Sequence, residues 1–283
     1  MKTLYVVATP IGNLNDVSKR CLEILDSVDL ICAEDTRQTI KLLNHYNIKK
    51  KMISYHKYNE TIKVDSIVDD LLSGKDIALV SDAGTPCISD PGYVLVKACR
   101  EKNINVIAVP GCSATVTSLS ISGLDTSQFS FIGFIPQDNK KFSEEIDKMK
   151  SSLINTFIIY ESPKRLVKLV EKLKDNFSDS TIFIASDLTK IHERSFFGNI
   201  NEVYETIKND SNIEKGEYVV VLQKKETKKE IQENDISIEA LLVDTMIKNN
   251  CSMKDAIKLL NESNKDLKKN EIYEASLKLK ELL

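Results

Sequence analysis

The chain of 283 residues reads as an α/β protein of two sheet-bearing domains followed by a small helical one. Two observations predict this. Short apolar runs rich in β-branched residues alternate with helix-period patterns through residue 222, and a charged stretch then separates them from a purely helical tail. A soft prior of roughly 150 residues per domain agrees with more than one domain.

Taken in order, the first strand is residues 4–8 (LYVVA), and the next runs are 30–33 (LICA), 77–81 (IALVS) and 106–109 (VIAV). Between them, Val17, Cys21, Ile24, Leu25 and Val28 mark one helical face, and Ile62, Ile67, Leu71 and Leu72 mark another less regularly. Such alternation predicts a mostly parallel sheet covered by helices. After Pro110-Gly111 and a small-residue stretch, strands recur at 157–160, 182–185, 195–198 and 218–222. Aromatic residues near turns with few helices between them predict more antiparallel pairing in this half. The expected domains are therefore 1–112, 113–223, a linker at 224–235 and a helical domain at 236–283. In the last, Ile238, Leu241, Leu242 and Thr245, then Ala256, Leu259 and Leu260, then Ile272, Ala275, Leu279 and Leu282 give two or three short amphipathic helices, with Ser252 as an N-cap.

No apolar run approaches the roughly 18 residues that span a bilayer, and the first residues read as a strand, so neither a signal nor an anchor is expected. Six cysteines without close paired spacing indicate no zinc knuckle and no disulfide framework, which fits a reducing cytoplasm. With His45, His56 and His192 the only histidines, no metal site is expected. A net charge of −3 argues against coating nucleic acid over the whole surface and leaves room for a local basic face.

Chemistry concentrates in loops that follow strands, where doubly wound folds hold ligands. The first is TPIGNL at 9–14, in which proline and glycine allow close backbone approach. The second is Glu34-Asp35-Thr36-Arg37, explained equally by acids at a helix N-terminus and by a polar rim that orients or deprotonates an acceptor. The third, SDAGTPCISDPG at 81–92, packs two glycines, two prolines and two aspartates into twelve residues, and Asp82 can accept a hydrogen bond from an ammonium or hydroxyl. The fourth is PGCSA at 110–114, where Ser113 can cap a helix that presents free amides. The second half adds YESPKR at 160–165 and DLTKIHE at 187–193, whose Lys164, Arg165 and Lys190 suit phosphates.

In order, ATPIGN, AEDTR, SDAGTP with ISDPG, PGCSA, GFIP at 133–136, YESPKR and LTKIHE resemble the tetrapyrrole-methylase superfamily, over about residues 3 to 222, and within it the RNA-modifying branch. The resemblance implies a homodimer that binds S-adenosylmethionine in a cleft between two α/β domains. It further implies methylation of the 2′-hydroxyl of a cytidine ribose in 16S ribosomal RNA of the small subunit, with no DNA and no membrane as partner. By that likeness Pro10 flanks the cofactor, Asp82, Ala83 and Gly84 line it, Ser113 and Ala114 bind its amino-acid end, and Leu188 closes over the adenine. TPIGN stands where small-molecule tetrapyrrole methylases carry a GxGPGD pattern, which sets a porphyrin acceptor aside as the alternative.

A ribose hydroxyl is a weak nucleophile while protonated, so a carboxylate or neutral amine beside it would add roughly 10²- to 10⁴-fold by taking its proton. Glu34, Asp35, Lys190 and Glu193 are the candidates for that catalytic role, with Glu161 also at the predicted cleft. Arg37, Glu161, Ser162, Lys164 and Arg165 are the candidates for holding the RNA. A nucleotide-binding dehydrogenase is disfavoured because no G-x-G-x-x-G follows the first strand, and a purely RNA-binding scaffold leaves the 81–92 loop without a purpose.

Overall fold

The computed structural model describes residues 2–225, 237–263 and 267–282. Two compact units emerge, Met1–Lys225 and Glu226–Leu283. The first contains both sheets.

The first sheet is built from β1 (Thr3–Val7), β2 (Leu30–Ala33), β3 (Met52–Ser54), β4 (Ile77–Val80) and β5 (Asn105–Val109), ordered β3-β2-β4-β1-β5. Every pairing in it is parallel. Helices α1 (Lys19–Ser27), α2 (Thr36–His45), α3 (Glu60–Leu72) and α4 (Tyr93–Glu101) connect these strands and cover both faces. Alternation along β2 and β4 explains this. Leu30, Cys32, Ile77 and Leu79 join one apolar core with Ile67, Leu71 and Leu95, while Ile31, Ala33, Ala78 and Val80 join another with Cys21, Leu25 and Leu43. A strand covered on both sides must be apolar at every position, which is what a parallel sheet demands.

The second sheet comprises β6 (Phe129–Phe134), β7 (Thr156–Glu161), β8 (Thr181–Ser186), β9 (Arg194–Asn199) and β10 (Tyr218–Gln223), ordered β6-β7-β10-β8-β9. Only β6 and β7 run parallel; the other three pairings are antiparallel, as the turn-rich sequence implied. One face packs on α5 (Ala114–Ile121) through Leu119, Ile158, Phe183 and Val221. The other packs on α6 (Asn139–Ser151), α7 (Pro163–Asn176) and α8 (Ile200–Lys208). Along α7, Leu166, Leu169, Val170 and Leu173 recur at helical spacing and are buried, each contributing roughly 1.5–3 kcal/mol. Cutting Leu173 back to alanine would cost about 2–5 kcal/mol.

Three expectations change. Ile62 and Leu72 do not belong to the buried face of α3: they are 79% and 59% exposed, and Val64, Ile67, Val68 and Leu71 face the core instead. Helical phase explains it, because 64, 67, 68 and 71 follow the three-and-four spacing and 62 does not. Strands β3 and β6 had no sequence signature, and both lie at sheet edges where burial is partial. Lys224, read as the start of a solvated linker, is buried; its ammonium donates to the carbonyls of Met149 at 2.9 Å, Lys150 at 3.0 Å and Ser152 at 2.6 Å. A cation there satisfies carbonyls that the end of α6 leaves open. The rest of the expected linker, from residue 226, lies outside the described residues.

The second unit consists of α9 (Ile238–Asn249), α10 (Met253–Ser263) and α11 (Lys269–Leu282), with Leu242, Ala256, Leu260, Ile272 and Ala275 at its core. Ser252 caps α10, its hydroxyl accepting from the Asp255 amide at 3.3 Å. Among the described residues no helix is long and apolar enough to cross a membrane.

Candidate active site

The carboxyl ends of the first sheet's strands carry the polar loops, and there the backbone is tied in pairs. Thr9, after β1, and Gly84, after β4, exchange two backbone hydrogen bonds at 2.9 and 3.0 Å. A second cross-link joins the ends of β2 and β4: a Glu34 carboxylate oxygen accepts from the Asp82 amide at 3.3 Å, and Asp82 Oδ1 accepts from the Asp35 amide at 3.0 Å. Cys87 and Ser89 hold positive φ angles of 70° and 71°, so the 81–92 loop is bent into conformations that side chains rarely adopt.

These loops line one side of a cavity of about 450 Å³. Ile11, Glu34, Asp82, Ala83, Gly84, Ile88 and Asp90 come from the first half, and Ser113, Ala114, Phe134, Tyr160, Glu161, Ser162, Leu188, Glu217 and Val219 from the second. Tyr160 fixes α5 to the second sheet through a 2.7 Å hydrogen bond between its hydroxyl and that of Thr115. The size and the mixture of apolar wall with a few polar groups suit a small organic ligand.

Five carboxylates line it, and with Glu161 paired to Arg165 and Glu217 to Lys190, the other three set its charge. Burial raises the Glu34 carboxyl above its ordinary range, helped by the nearby charges of Asp82 and Asp35, although the hydrogen bond from the Asp82 amide opposes this. Burial and the charge of Asp35 likewise raise Asp82. Asp90 rises to about 7, because it is buried and faces Glu34. Asp35 behaves oppositely: hydrogen bonds from the Arg37 guanidinium and amide hold it down at about 2.

Of the four candidate proton acceptors, Glu34 alone lines the cavity. Asp35 caps α2 and pairs with Arg37 at 2.6 Å. Lys190 pairs with both Asp187 and Glu217 at 2.9 Å; burial alone would lower its pKa, but those two partners outweigh it and move the pKa up, so the amine keeps its proton. Glu193 accepts the Thr189 amide. Among the residues expected around the cofactor, Asp82, Ala83, Gly84, Ser113, Ala114 and Leu188 line the cavity, whereas Pro10 sits beside it and its neighbour Ile11 makes the contact. Ser113 also caps α5, its hydroxyl accepting from Val116.

Leu188 is flanked by Asp187 and Thr189 at φ of +52° and +68°, an unusual bend between β8 and β9. Of the expected RNA ligands, Glu161 and Ser162 line the cavity, Lys164 is exposed, and Arg37 points to solvent with its side chain 87% exposed. Arg165 lies behind the cavity wall, with one nitrogen shared between Glu161 at 2.9 Å and the Ile135 carbonyl at 3.1 Å. Sequence reasoning missed Asp90, Tyr160 and Glu217 as site residues. The ISDPG run held the signal for Asp90.

Residues 3–204 match the model of the Tetrapyrrole (Corrin/Porphyrin) Methylases. The chain belongs to this family. Its relatives among the tetrapyrrole methylases include the ribosomal RNA small subunit methyltransferase I of Buchnera aphidicola, 39% identical over 98% of this chain and 96% of the relative. The protein of the same name from Vibrio cholerae is 41% identical over 97% of this chain and 94% of its own. Among solved tetrapyrrole-methylase folds, uroporphyrin-III C-methyltransferase from Thermus thermophilus, complexed with S-adenyl homocysteine, superposes with a TM-score of 0.54 at 15% identity, covering 79% of this chain and 97% of that one. A diphthine synthase superposes with a TM-score of 0.59 at 11% identity, covering 80% and 90%. At such identities the likeness establishes the shared fold.

Proposed function

We propose that this tetrapyrrole methylase transfers a methyl group from S-adenosylmethionine to the 2′-hydroxyl of a cytidine in small-subunit (16S) ribosomal RNA. The observation that carries the reading is the 450 Å³ cavity at the carboxyl ends of a parallel sheet, walled by loops from both halves. Near full-length similarity to relatives named for small-subunit ribosomal RNA supports the acceptor. In this reading residues 1–112 and 113–223 act as the two halves of the cleft, and the enzyme works in the cytoplasm as a homodimer.

The residues present fit such a cofactor. Glu34, Asp82 and Asp90 give the cavity a negative potential that favours an ammonium and a sulfonium. The amides at the start of α5, beside Ser113 and Ala114, suit a carboxylate. Ile11, Leu188 and Val219 supply an apolar surface for a purine ring.

When bound, S-adenosylmethionine supplies an activated electrophilic methyl. The protein's part is then to hold the acceptor oxygen in line and to take its proton. Glu34 fills the second role: it lines the cavity, and its raised pKa makes it a better proton acceptor than an ordinary carboxylate.

The test is methyl transfer to small ribosomal subunits prepared from a strain lacking the gene, with nucleoside mass spectrometry for 2′-O-methylcytidine. Transfer to that nucleoside is expected, with E34Q slowed roughly 10²- to 10⁴-fold. Label appearing in a small pigment, or none at all, would sink the reading.

A further inference from the structure

Behind the Glu161 wall lies a second cavity of about 160 Å³, between the start of α6 and one face of α7. It is lined by Pro136, Gln137, Phe142, Arg165, Lys168 and Lys172 among others, and it shares Glu161 with the first cavity. On the helix, 165, 168 and 172 follow three-and-four spacing, so their cations form one stripe. Elsewhere in the chain such spacing joins opposite charges, as in Lys19–Glu23 and Lys97–Glu101.

On α7 that neutralisation reaches only Arg165, which pairs with Glu161, and not the lysines. Lys164, Lys168 and Lys172 sit at successive i, i+4 positions, where like charges repel. None has an ion-pair partner among the described residues. Glu171, the acid nearest Lys168 in sequence, turns the other way and accepts from the Tyr204 hydroxyl at 2.9 Å. Glu161 is matched by Arg165 alone. Lys172 is held over the Phe142 ring at 4.4 Å and donates to Asn139 at 3.2 Å, so its ammonium is placed rather than loose. A chain with net charge −3 thus concentrates positive charge around a recess beside the reaction cavity.

We propose that this recess is a phosphate site that grips the RNA backbone next to the nucleotide being methylated, with Lys168 and Lys172 as its charges and Arg165 at its inner wall. The proposal rests on the RNA reading above. Backbone phosphates are the ligand that best matches clustered, unpaired lysines and a forked guanidinium. The shared Glu161 wall makes the two cavities neighbours, so one RNA strand can occupy both.

The test uses the full-length chain and small-subunit ribosomal RNA, with binding followed from about 50 to 200 mM salt. Removing each phosphate contact lowers the salt slope by about 1, so K168A/K172A should lower it by about 2 and weaken binding about tenfold or more. Affinity for S-adenosylmethionine should stay unchanged. K174A removes an equal charge from the same helix at a side chain that lies over Tyr204, and it should leave RNA binding as it was. An unaltered salt slope in a folded K168A/K172A protein, or an equal loss in K174A, would overturn the proposal while leaving the RNA reading intact. If the unsubstituted protein binds no RNA, both fall.

Discussion

Gly12 lies so close to Leu188 that a β-carbon on it would sit 2.9 Å from the Leu188 carbonyl oxygen and 2.7 Å from Lys190 Cγ. The loop after the first strand is thereby seated on the loop that presents Leu188 to the cavity. No side chain fits there, since real β-carbons do not approach backbone so closely.

Gly12→Ala must therefore push the Leu188 loop outward. Overpacking of this kind costs about 1–3 kcal/mol of stability. Affinity for S-adenosylmethionine, measured by calorimetry, should fall about tenfold. Unchanged affinity and melting would mean that this contact does not set the loop.

Asp90 makes stability pH-dependent. Its carboxyl titrates at about 7 in the folded protein, beside Glu34 and Asp82, and at about 4 in an unfolded chain. Between those values the folded state holds a proton that the unfolded state has released, so stability falls as pH rises across that window and levels off above it. Asp90→Asn removes this loss. Melting temperatures at pH 4 to 8 should show the variant gaining on the unsubstituted protein as pH rises, and parallel curves would contradict this.

The Glu161 side chain is 1% exposed, with Arg165 as its counter-charge. Arg165→Ala strands a buried carboxylate and should cost about 3 kcal/mol in denaturant melts. Adding Glu161→Gln should recover much of that, because the stranded charge disappears with it. If the double variant is as unstable as the sum of the singles, the pair is not coupled. This loss of stability is also why Lys168 and Lys172, rather than Arg165, are the cleaner probes of RNA contact.

Lys224→Met keeps the aliphatic stem and removes the donor to three carbonyls at the end of α6. Leaving those acceptors buried without partners should destabilise the first unit by about 2–3 kcal/mol. Hydrogen exchange should show the α6 C-terminus opening more readily, and protection equal to the unsubstituted protein would refute this.

The legibility of this chain from sequence followed burial. Strands β1, β2, β4, β7, β8 and β10 are apolar along their length because helices cover both sides, and each stood out. Edge position alone did not hide a strand, since β5 and β9 also lie at edges and were read; β3 has only three half-buried residues and β6 a register shift between Phe131 and Gly133, so neither keeps such a pattern. Site loops were visible from their small residues, but their partnerships were not. Glu34 and Asp82 are 48 residues apart and meet only through the order of the strands. Lys224 misled for a related reason: charge in sequence suggests solvent, and nothing local announces three carbonyls waiting for it.

The left-handed backbone on either side of Leu188 carries a kinetic consequence. Such conformations cost on the order of 1–3 kcal/mol each, and here the Asp187–Lys190–Glu217 bridge and the close approach of Gly216 to Asp187 hold them in place. The leucine face is thus already formed before any ligand arrives. Capture should resemble docking onto a rigid ledge, with association rates insensitive to viscosogens that slow loop closure.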